Sequence, residues 1–335
     1  MTTKNIGPYQ VASTVGQGAY GAVYDATHEE TGQRVALKLL HGTKSLEPEV
    51  QNRFVREIAI LQRLDNENIV RHFDCGLHDG DIYCAMELVD SGSLKEVLVA
   101  NGSLPWRESA EVALQVCQAL THAHENDCVH RDLKPANLYL SSDGKVKLGD
   151  LGLARDLGDN RLTIQGQTVG TWRYMAPEQI TAEDDIDGRL DIYALGCILF
   201  EMIVGHVPFD GPDFVTIFDQ HLETPAERVD TVLPEVPKPL ADLIATMLEK
   251  SPEDRPADAN QVGEQLEKIL SGESTELAEP TATNSVNSEE PEPEKNLTDR
   301  LRSAPQLEPR NVNTKAIFVA CAVIAAIVIA VTVLR

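Results

Sequence analysis

The sequence predicts an α+β chain of two lobes, with a small N-terminal lobe of antiparallel sheet and a larger helical lobe. Three observations support this prediction. Residues 9–40 carry β-type residues separated by Gly-rich turns, and apolar residues beyond position 91 recur mostly at helical spacing. A thirteen-residue, nearly all-apolar run from Ile192 to Val204 is typical of a helix buried in a core. The change of period along the chain implies a cleft between the two lobes.

The smaller lobe is predicted to contain strands and one main helix. Strand-type residues fill positions 9–40 and end in the run Val35–Leu40. Between 47 and 64 the period becomes helical, with Phe54, Ile58, Leu61 and Leu64 on one face. Residues 69–90 return to strand-like runs, which Asp79-Gly80 interrupts as a turn.

The larger lobe is predicted from its helical stripes. One stripe comprises Ala110, Ala113, Leu114, Cys117 and Leu120. The run Ile192–Val204 is shorter than the roughly 20 residues that a bilayer span needs, so we expect a core helix there. Two further helices are expected at 240–248 and 262–270.

Composition excludes some classes of function. The net charge of −24 argues against nonspecific binding to nucleic acid, which requires a basic surface. The six cysteines are scattered without a C-x-x-C pair, as is typical of a reducing compartment. No apolar stretch follows Met1, so no secretory signal peptide is expected.

The C-terminal part predicts a linker followed by a membrane anchor. Residues 271–315 are rich in Glu, Pro, Ser, Thr and Asn, which favours a disordered linker. Residues 316–334 carry no charge and as a helix would be about 28 Å long, close to the apolar thickness of a bilayer. Arg302, Arg310 and Lys315 precede this span, so we expect a single-pass membrane protein whose N-terminal domain is cytoplasmic. A soluble amphipathic helix, the alternative, would show a polar face.

Two features of the smaller lobe suggest an anion site. The run from Gly16 to Val23 has the form G-x-G-x-x-G-x-V, whose glycines let a backbone approach phosphates; a glycine-rich hairpin without a ligand is the alternative. Lys38 follows in an apolar strand, and Glu57 lies on the apolar face of the predicted helix. An ion pair between Lys38 and Glu57 would compensate both charges, whereas two unrelated surface charges are the alternative.

The strongest signal is an ordered set of motifs. His130-Arg-Asp-Leu-Lys-Pro-Ala-Asn137 is followed by Asp150-Leu-Gly152 and then by Ala176-Pro-Glu178. Together with the glycine-rich run and Lys38, these motifs resemble the protein kinase family, in particular bacterial membrane-anchored (Hanks-type) Ser/Thr kinases. The resemblance covers residues 9–270 and implies the two-lobed protein kinase fold, ATP and Mg²⁺ as cofactors, and protein substrates.

The resemblance also implies a role for each residue. Asp132 would accept the proton of the substrate hydroxyl, Lys134 would stabilise the transferring phosphoryl group, and Lys38 held by Glu57 would bind the α- and β-phosphates. Asn137 and Asp150 would hold two Mg²⁺ ions. The residues expected to contact ATP are Val15, Gly16, Gln17, Gly18, Ala19, Tyr20, Gly21, Val23, Ala36, Lys38, Glu87 and Val89.

Further roles follow from the same resemblance. Met86 would be the gatekeeper of the adenine pocket, Asp191 would anchor the catalytic loop, and Glu178 would pair with Arg255 in the helical lobe. Leu151 stands where the family usually has phenylalanine. Lys134 and the stretch Gly170–Glu178 resemble Ser/Thr rather than tyrosine kinases.

Several alternatives and finer predictions accompany this assignment. A membrane-anchored pseudokinase scaffold would lack one of the catalytic positions, and a small-molecule phosphotransferase would lack the docking segment Thr171–Glu178. Activation is expected through phosphorylation of the loop between Asp150 and Glu178, with Thr163 as the first candidate and Thr168 as the second, because Arg131 calls for an anionic partner. His122 and His124 are expected to pack rather than to bind a metal. Finally, alanines at 322, 326 and 330 would permit a homodimer through the membrane helix, although a simple anchor is the favoured interpretation.

Overall fold

A computed structural model describes residues 4–18, 21–40, 43, 61–151, 171–183 and 186–272 of the chain. Its N-terminal part is an antiparallel sheet in the spatial order β1-β2-β3-β4-β6-β5. The strands are β1 (Asn5–Ile6), β2 (Tyr9–Gly18), β3 (Gly21–His28), β4 (Arg34–Leu40), β5 (His72–His78) and β6 (Asp81–Met86). The sheet predicted for residues 9–40 and 69–90 is therefore confirmed, although β5 begins at His72 rather than at Ile69.

The helical part follows β6. Its elements are α1 (Leu94–Asn101), α2 (Trp106–Glu125), β7 (Leu138–Leu140), β8 (Val146–Leu148), α3 (Pro177–Ile180), α4 (Arg189–Val204), α5 (Phe214–Glu223), α6 (Val229–Val232), α7 (Lys238–Met247) and α8 (Ala259–Ser271). The two helices predicted at 240–248 and 262–270 correspond to α7 and α8. Helix α8 ends at Ser271, one residue beyond the predicted 270, and Gly272 caps it in the left-handed conformation.

Helix α4 forms the centre of the helical lobe. Thirteen of its residues are buried, including Tyr193 and Phe200, so the helix is covered on all sides. The prediction of a core helix from its nearly complete apolarity is confirmed. Helix α2 packs beside α4 and buries Ala110, Ala113 and Leu120 of the predicted stripe, whereas Leu114 is only partly buried.

The two faces of the sheet bury different clusters. One face carries Ile6, Tyr9 and Leu37 in a small core confined to the sheet. The other face contributes Ala36, Cys84 and Met86 to the large core that continues into the helical lobe. Both faces are thus covered, and the second face joins the sheet to the helical lobe.

Some predictions fall outside the described residues. These are Glu57 and most of the helix predicted at 47–64, Ala19 and Tyr20, Thr163 and Thr168, the linker beyond residue 272, and the span predicted at 316–334. Among the helices that the structure describes, none has both the length and the apolarity for crossing a bilayer.

Candidate active site

The loop of residues 130–137 is anchored on helix α4. Asp191, in the first turn of α4, is fully buried. Its carboxylate accepts the backbone N–H of His130 at 2.8 Å and that of Arg131 at 2.9 Å. The ring of His124 contacts the same carboxylate at 2.8 Å through Nε2. Asp191 therefore holds the loop through two backbone N–H groups, while His124 of α2 fixes the carboxylate; in this loop Arg131 has a φ of 66°.

Asp132 projects from this anchored loop with one oxygen engaged. Lys134 Nζ donates to Asp132 Oδ2 at 2.7 Å. The side-chain amide of Asn137 donates to the backbone carbonyl of Asp132 at 2.8 Å, which ties the two ends of the loop together. Asp132 Oδ1 is buried and has no hydrogen-bond partner among the described residues. A buried carboxylate oxygen without a donor is suited to accept a hydrogen bond from a ligand.

Asp150 follows strand β8 and faces Lys38 across the cleft. Lys38 Nζ lies 2.5 Å from Asp150 Oδ1. Burial by itself would raise the pKa of Asp150, but the charge and hydrogen bond of Lys38 outweigh burial and lower the pKa below its usual range. Glu57, the predicted partner of Lys38, lies outside the described residues. The contact that the structure shows for Lys38 is thus with the predicted metal ligand.

Backbone contacts bring Asn137 and Asp150 to the same end of the β7–β8 hairpin. The N–H of Gly149 donates to the carbonyl of Asn137 at 2.9 Å, and the ring of His130 contacts the carbonyl of Gly149 at 2.9 Å. The hairpin thereby places one residue with an amide and one with a carboxylate at the same end. Oxygen donors of these two types are the ligands that Mg²⁺ prefers, so the residues fit the metal that the resemblance implies.

The glycine-rich run forms the hairpin between β2 and β3. Gly18 pairs with Gly21 at its tip, and the two residues between them lie outside the described ranges. A Cβ atom at Gly21 would lie 2.1 Å from the backbone oxygen of Leu39, whereas nothing lies within 4 Å of one at Gly16. Gly21 is therefore required by the packing of β3 on β4, while Gly16 leaves open space for a ligand. Val15 and Gln17 beside it are exposed.

The predicted adenine pocket is apolar. Val23, Ala36, Met86 and Val89 belong to one hydrophobic cluster at the junction of the sheet and the helical lobe. These side chains are buried or partly buried, as a flat aromatic ligand requires of the walls of its pocket.

The segment that follows β6 has a backbone N–H that is already hydrogen-bonded within the protein. The N–H of Glu87 donates to the carbonyl of Arg71 at 2.8 Å, so this N–H is engaged within the protein. The side chain of Glu87 forms an ion pair with Lys147 at 3.1 Å. Glu87 is one of the residues expected to contact ATP, and with its N–H engaged the carbonyl oxygen is the backbone atom left to meet a ligand.

The segment predicted to dock substrate is fixed to the helical lobe. Arg255 makes a bidentate ion pair with Glu178 at 2.7 and 2.9 Å, as predicted from the resemblance. Gln179 donates to the carbonyl of Arg131 at 2.9 Å, which links the segment to the catalytic loop. Tyr174 donates to Glu201 at 2.6 Å. The docking segment and the loop that carries Asp132 are therefore parts of one connected network.

Sequence reasoning missed three residues near this site. His124 was expected only to pack, yet it bonds Asp191; Lys147 and its contact with Glu87 were not foreseen. His72 is buried opposite Met86, with Nδ1 unpartnered within the described ranges. Burial lowers the pKa of His72 to about 4, which keeps it neutral. No sequence motif marks these residues, because each depends on a neighbour distant in the chain.

Comparisons with known proteins identify the family. The model of the protein kinase domain matches residues 9–266, so the chain belongs to the protein kinase family. The chain is similar to the serine/threonine-protein kinase PknH of Mycobacterium tuberculosis, with 34% identity over 304 residues that cover 91% of this chain and 48% of PknH. It therefore spans about half the length of that relative.

Two further proteins support the assignment. PknL of M. tuberculosis, a serine/threonine-protein kinase, is 34% identical over 261 residues, which cover 78% of this chain and 65% of PknL. The crystal structure of the PknI kinase domain from the same organism superposes with a TM-score of 0.64 at 26% identity and covers 80% of this chain and 98% of that domain. The two-lobed kinase fold predicted from the motifs is confirmed.

Proposed function

We propose that this chain is a Ser/Thr protein kinase that transfers the γ-phosphate of ATP to serine or threonine hydroxyls of proteins. The observation that carries the proposal is the arrangement around Asp132, which has one oxygen paired with Lys134 and the other buried without a partner among the described residues. A pseudokinase would not need this arrangement.

Asp132 acts as the proton acceptor in this proposal. Its unpartnered Oδ1 accepts the hydrogen bond of the substrate hydroxyl and takes the proton as the oxygen attacks the γ-phosphorus. Lys134 keeps the second oxygen occupied at 2.7 Å and supplies positive charge where charge develops on the phosphoryl group. The anchoring by Asp191 keeps both side chains in place during the transfer.

ATP binding is assigned to the cleft between the two lobes. The hairpin from Gly16 to Val23 covers the phosphates, and Lys38 contacts them with its ammonium group. Mg²⁺, when bound, neutralises charge on the phosphate oxygens, and Asn137 and Asp150 are the residues that would hold it. Lys38 lies 2.5 Å from Asp150, so the residue that would contact the phosphates and a residue that would hold Mg²⁺ are adjacent.

The preference for Ser/Thr rests on Lys134 and on the docking segment. Lys134 follows Asp132 by two positions, and the relatives PknH and PknL are named serine/threonine kinases. The segment ending at Glu178 is tied to the catalytic loop through Gln179, so a bound peptide would lie beside Asp132.

The test is a transfer assay with a matched pair of variants. Asp132→Asn should lower kcat by about 10²- to 10⁴-fold because the proton acceptor is lost, while the binding of Mg·ATP changes little. Asp127→Asn, the same chemical change at an exposed position five residues earlier, should leave kcat unchanged. The assay combines purified chain, ATP, Mg²⁺ and a generic protein substrate, with phosphosites read by mass spectrometry. Near wild-type kcat in the Asp132 variant would contradict the assignment.

We further propose that phosphorylation at Thr163 or Thr168 activates the enzyme. Arg131 precedes the catalytic aspartate, and its guanidinium is a suitable partner for a phosphate on the loop between Asp150 and Glu178. Purified active enzyme should carry phosphate at one of these threonines, and Thr163→Ala combined with Thr168→Ala should lower activity. Full activity of the double variant without loop phosphate would refute this proposal.

The membrane anchor is proposed from the sequence of residues 316–334. Their uniform apolarity and the preceding Arg310 and Lys315 support a single-pass span with the kinase domain cytoplasmic. The chain should remain in membranes after alkaline carbonate washing, and its kinase domain should be digested only when protease reaches the cytoplasmic side. A chain released by carbonate would contradict the anchor.

Dimerisation of the membrane helix through the alanines at 322, 326 and 330 is tested separately. All three alanines are replaced with leucine, and the rate of phosphorylation in trans is measured in bilayers. An unchanged rate would contradict the dimer.

A further inference from the structure

Two cysteines lie directly opposite each other on neighbouring strands beside Lys38. Cys75 of β5 pairs with Cys84 of β6, and Cys84 pairs in turn with Lys38 of β4. Residues in register across a sheet project to the same face, so these three side chains form one row. Both thiols are free, and both pack against the large core that also contains Ala36 and Met86.

The type of pairing at these cysteines follows from the hairpin turn. Asp79 and Gly80 both have positive φ, 52° and 85°, which makes a two-residue type I′ turn closed by His78 and Asp81. The closing pair exchanges hydrogen bonds, and pairs alternate along the ladder from there. Cys75–Cys84 is the third pair after the closing pair, so its two residues share no backbone hydrogen bond.

Two hydrogen bonds verify this alternation on β6. The N–H of Glu87 donates towards the β5 side, to Arg71, at 2.8 Å. The N–H of Ile82 donates to Thr43, which follows β4, at 2.8 Å. Odd-numbered residues of β6 therefore direct their backbone groups to β5 and even-numbered residues to β4. Cys84 bonds towards β4, so its pairing with Cys75 is of the non-hydrogen-bonded type.

This type of pair brings side chains closest together. Opposed Cα atoms in non-hydrogen-bonded pairs are about 4.5 Å apart, within the range of about 4.4–6.8 Å that disulfides span. The bond can therefore form without moving either strand. The other described cysteines, which are Cys117, Cys128 and Cys197, lie outside the sheet.

We propose that Cys75 and Cys84 are a redox modification site that forms a reversible cross-strand disulfide under peroxide and thereby weakens nucleotide binding through Lys38. The effect on nucleotide binding rests on the proposed kinase function, whereas the disulfide itself does not. In the first step a Cys75 thiolate attacks one peroxide oxygen, the O–O bond breaks, and hydroxide leaves to take up a proton, which gives a sulfenic acid and water.

In the second step the Cys84 sulfur attacks the sulfenic sulfur. The S–S bond forms as the S–O bond breaks, and the hydroxide that leaves takes the proton of the Cys84 thiol to give a second water. Two thiols lose two electrons in total, and one peroxide gains them. Cys75 is assigned the first step because it is half-buried, whereas Cys84 is fully buried.

The environment makes the thiols slow to react. Burial raises the pKa of Cys75, and the nearby Asp74 raises it further; burial also raises the pKa of Cys84. Little thiolate is present at neutral pH, so the site responds to an oxidant in excess and stays reduced otherwise. The rate of disulfide formation should therefore rise about tenfold per pH unit between pH 7 and 8.5.

The disulfide would act on Lys38 through its neighbour. Cys84 is the direct cross-strand neighbour of Lys38, so drawing its sulfur towards β5 removes packing from the stem of the lysine. We expect oxidation to raise the apparent KM for ATP about threefold or more, with the KM for protein substrate unchanged.

The linkage is tested by cleavage between the two cysteines. The full chain is treated with millimolar hydrogen peroxide, alkylated, and digested with a protease that cuts before Asp79 and Asp81. The two peptides should stay linked until dithiothreitol separates them. The mass of the linked pair should be about 2 Da below the sum of the two reduced peptides. Cys75→Ser and Cys84→Ser should each abolish the linkage, and Cys128→Ser, which changes a half-buried lone thiol, should not. Absence of the linked pair in native wild type, or its appearance only after unfolding in urea, would overturn the site.

The regulatory step is tested on the same samples. Peroxide should raise the KM for ATP in wild type and in Cys128→Ser, reversibly with dithiothreitol, but not in Cys75→Ser. An unchanged KM in fully linked protein would overturn the coupling to Lys38. If the chain shows no kinase activity at all, binding of ATP to reduced and oxidised protein measures the coupling independently, so failure of the kinase proposal is distinguished from failure of the redox site.

Discussion

The ion pair between Glu178 and Arg255 permits a quantitative prediction for Arg255→Ala. The two side chains are 4% and 0% exposed, and their contacts are bidentate at 2.7 and 2.9 Å. The guanidinium also donates to backbone carbonyls of Glu249 at 2.8 Å, Lys250 at 2.9 Å and Arg189 at 3.1 Å. Arg255 thus satisfies one buried charge and three backbone acceptors.

The magnitude follows from what the substitution leaves behind. Removing one partner of a buried ion pair costs about 3–5 kcal/mol, because the remaining charge is buried without compensation. Water that enters the vacated space can recover part of the three carbonyl interactions, so we expect a loss of about 4 kcal/mol in the free energy of unfolding. For a domain of this size each kcal/mol corresponds to about 2–4 °C, so the Tm should fall by about 8–16 °C.

The assay is thermal and urea unfolding of wild type and variants followed by circular dichroism. Lys238→Ala is the control, since this lysine pairs with Asp242 while 77% exposed and should change stability by about 0.5 kcal/mol or less. Arg255→Met together with Glu178→Leu should recover much of the loss, because no buried charge remains. If Arg255→Ala lowers the Tm no more than the control does, the reasoning about buried charge is refuted.

Three further predictions concern the site and the core. Gly21→Ala should weaken ATP binding at least tenfold and lower the Tm, because its Cβ would lie 2.1 Å from the Leu39 carbonyl oxygen. Gly16→Ala should leave the Tm unchanged, since nothing lies within 4 Å of its Cβ. Equal Tm values for the two variants would contradict this interpretation. Asp191→Asn should lower kcat about 10²-fold with little change in the KM for ATP, because the single amide oxygen cannot accept the hydrogen bonds that two carboxylate oxygens accept from the loop. A change confined to the KM would contradict this role of Asp191. Burial lowers the pKa of His221 to about 3 from 6.5, so its contribution to stability is complete above pH 6.5 and is lost as pH falls towards 3. His221→Gln should flatten the decline of wild-type stability between pH 6.5 and 4, measured by urea unfolding, and an unchanged slope would count against a buried neutral histidine.

The elements that sequence reasoning predicted best are those whose pattern is local. Strands at 9–40 and the core helix Ile192–Val204 follow from periodicity and apolarity over short windows. Helix ends were less well determined, as at Lys238 and Ser271, because capping depends on backbone conformation that composition reflects only weakly.

The candidate site was largely predictable because its residues belong to contiguous motifs. Asp132, Lys134 and Asn137 lie within one short loop, and the structure brings all three together. His124 was not recognised, because its partner Asp191 is far away in the chain and a histidine in a helix carries no signal of its own. In the sequence, Cys75 and Cys84 likewise carry no sign that they face each other.

The sequence by itself determined the family and the order of the lobes, since both are encoded in short stretches of chain. Only the tertiary structure decided that Lys38 contacts Asp150, that His124 contacts Asp191, and that Cys75 lies opposite Cys84. These contacts join residues whose separation is closed by the whole fold or by the register of a hairpin. A shift of one residue in that register would move Cys75 to the other face, and no local periodicity records such a choice.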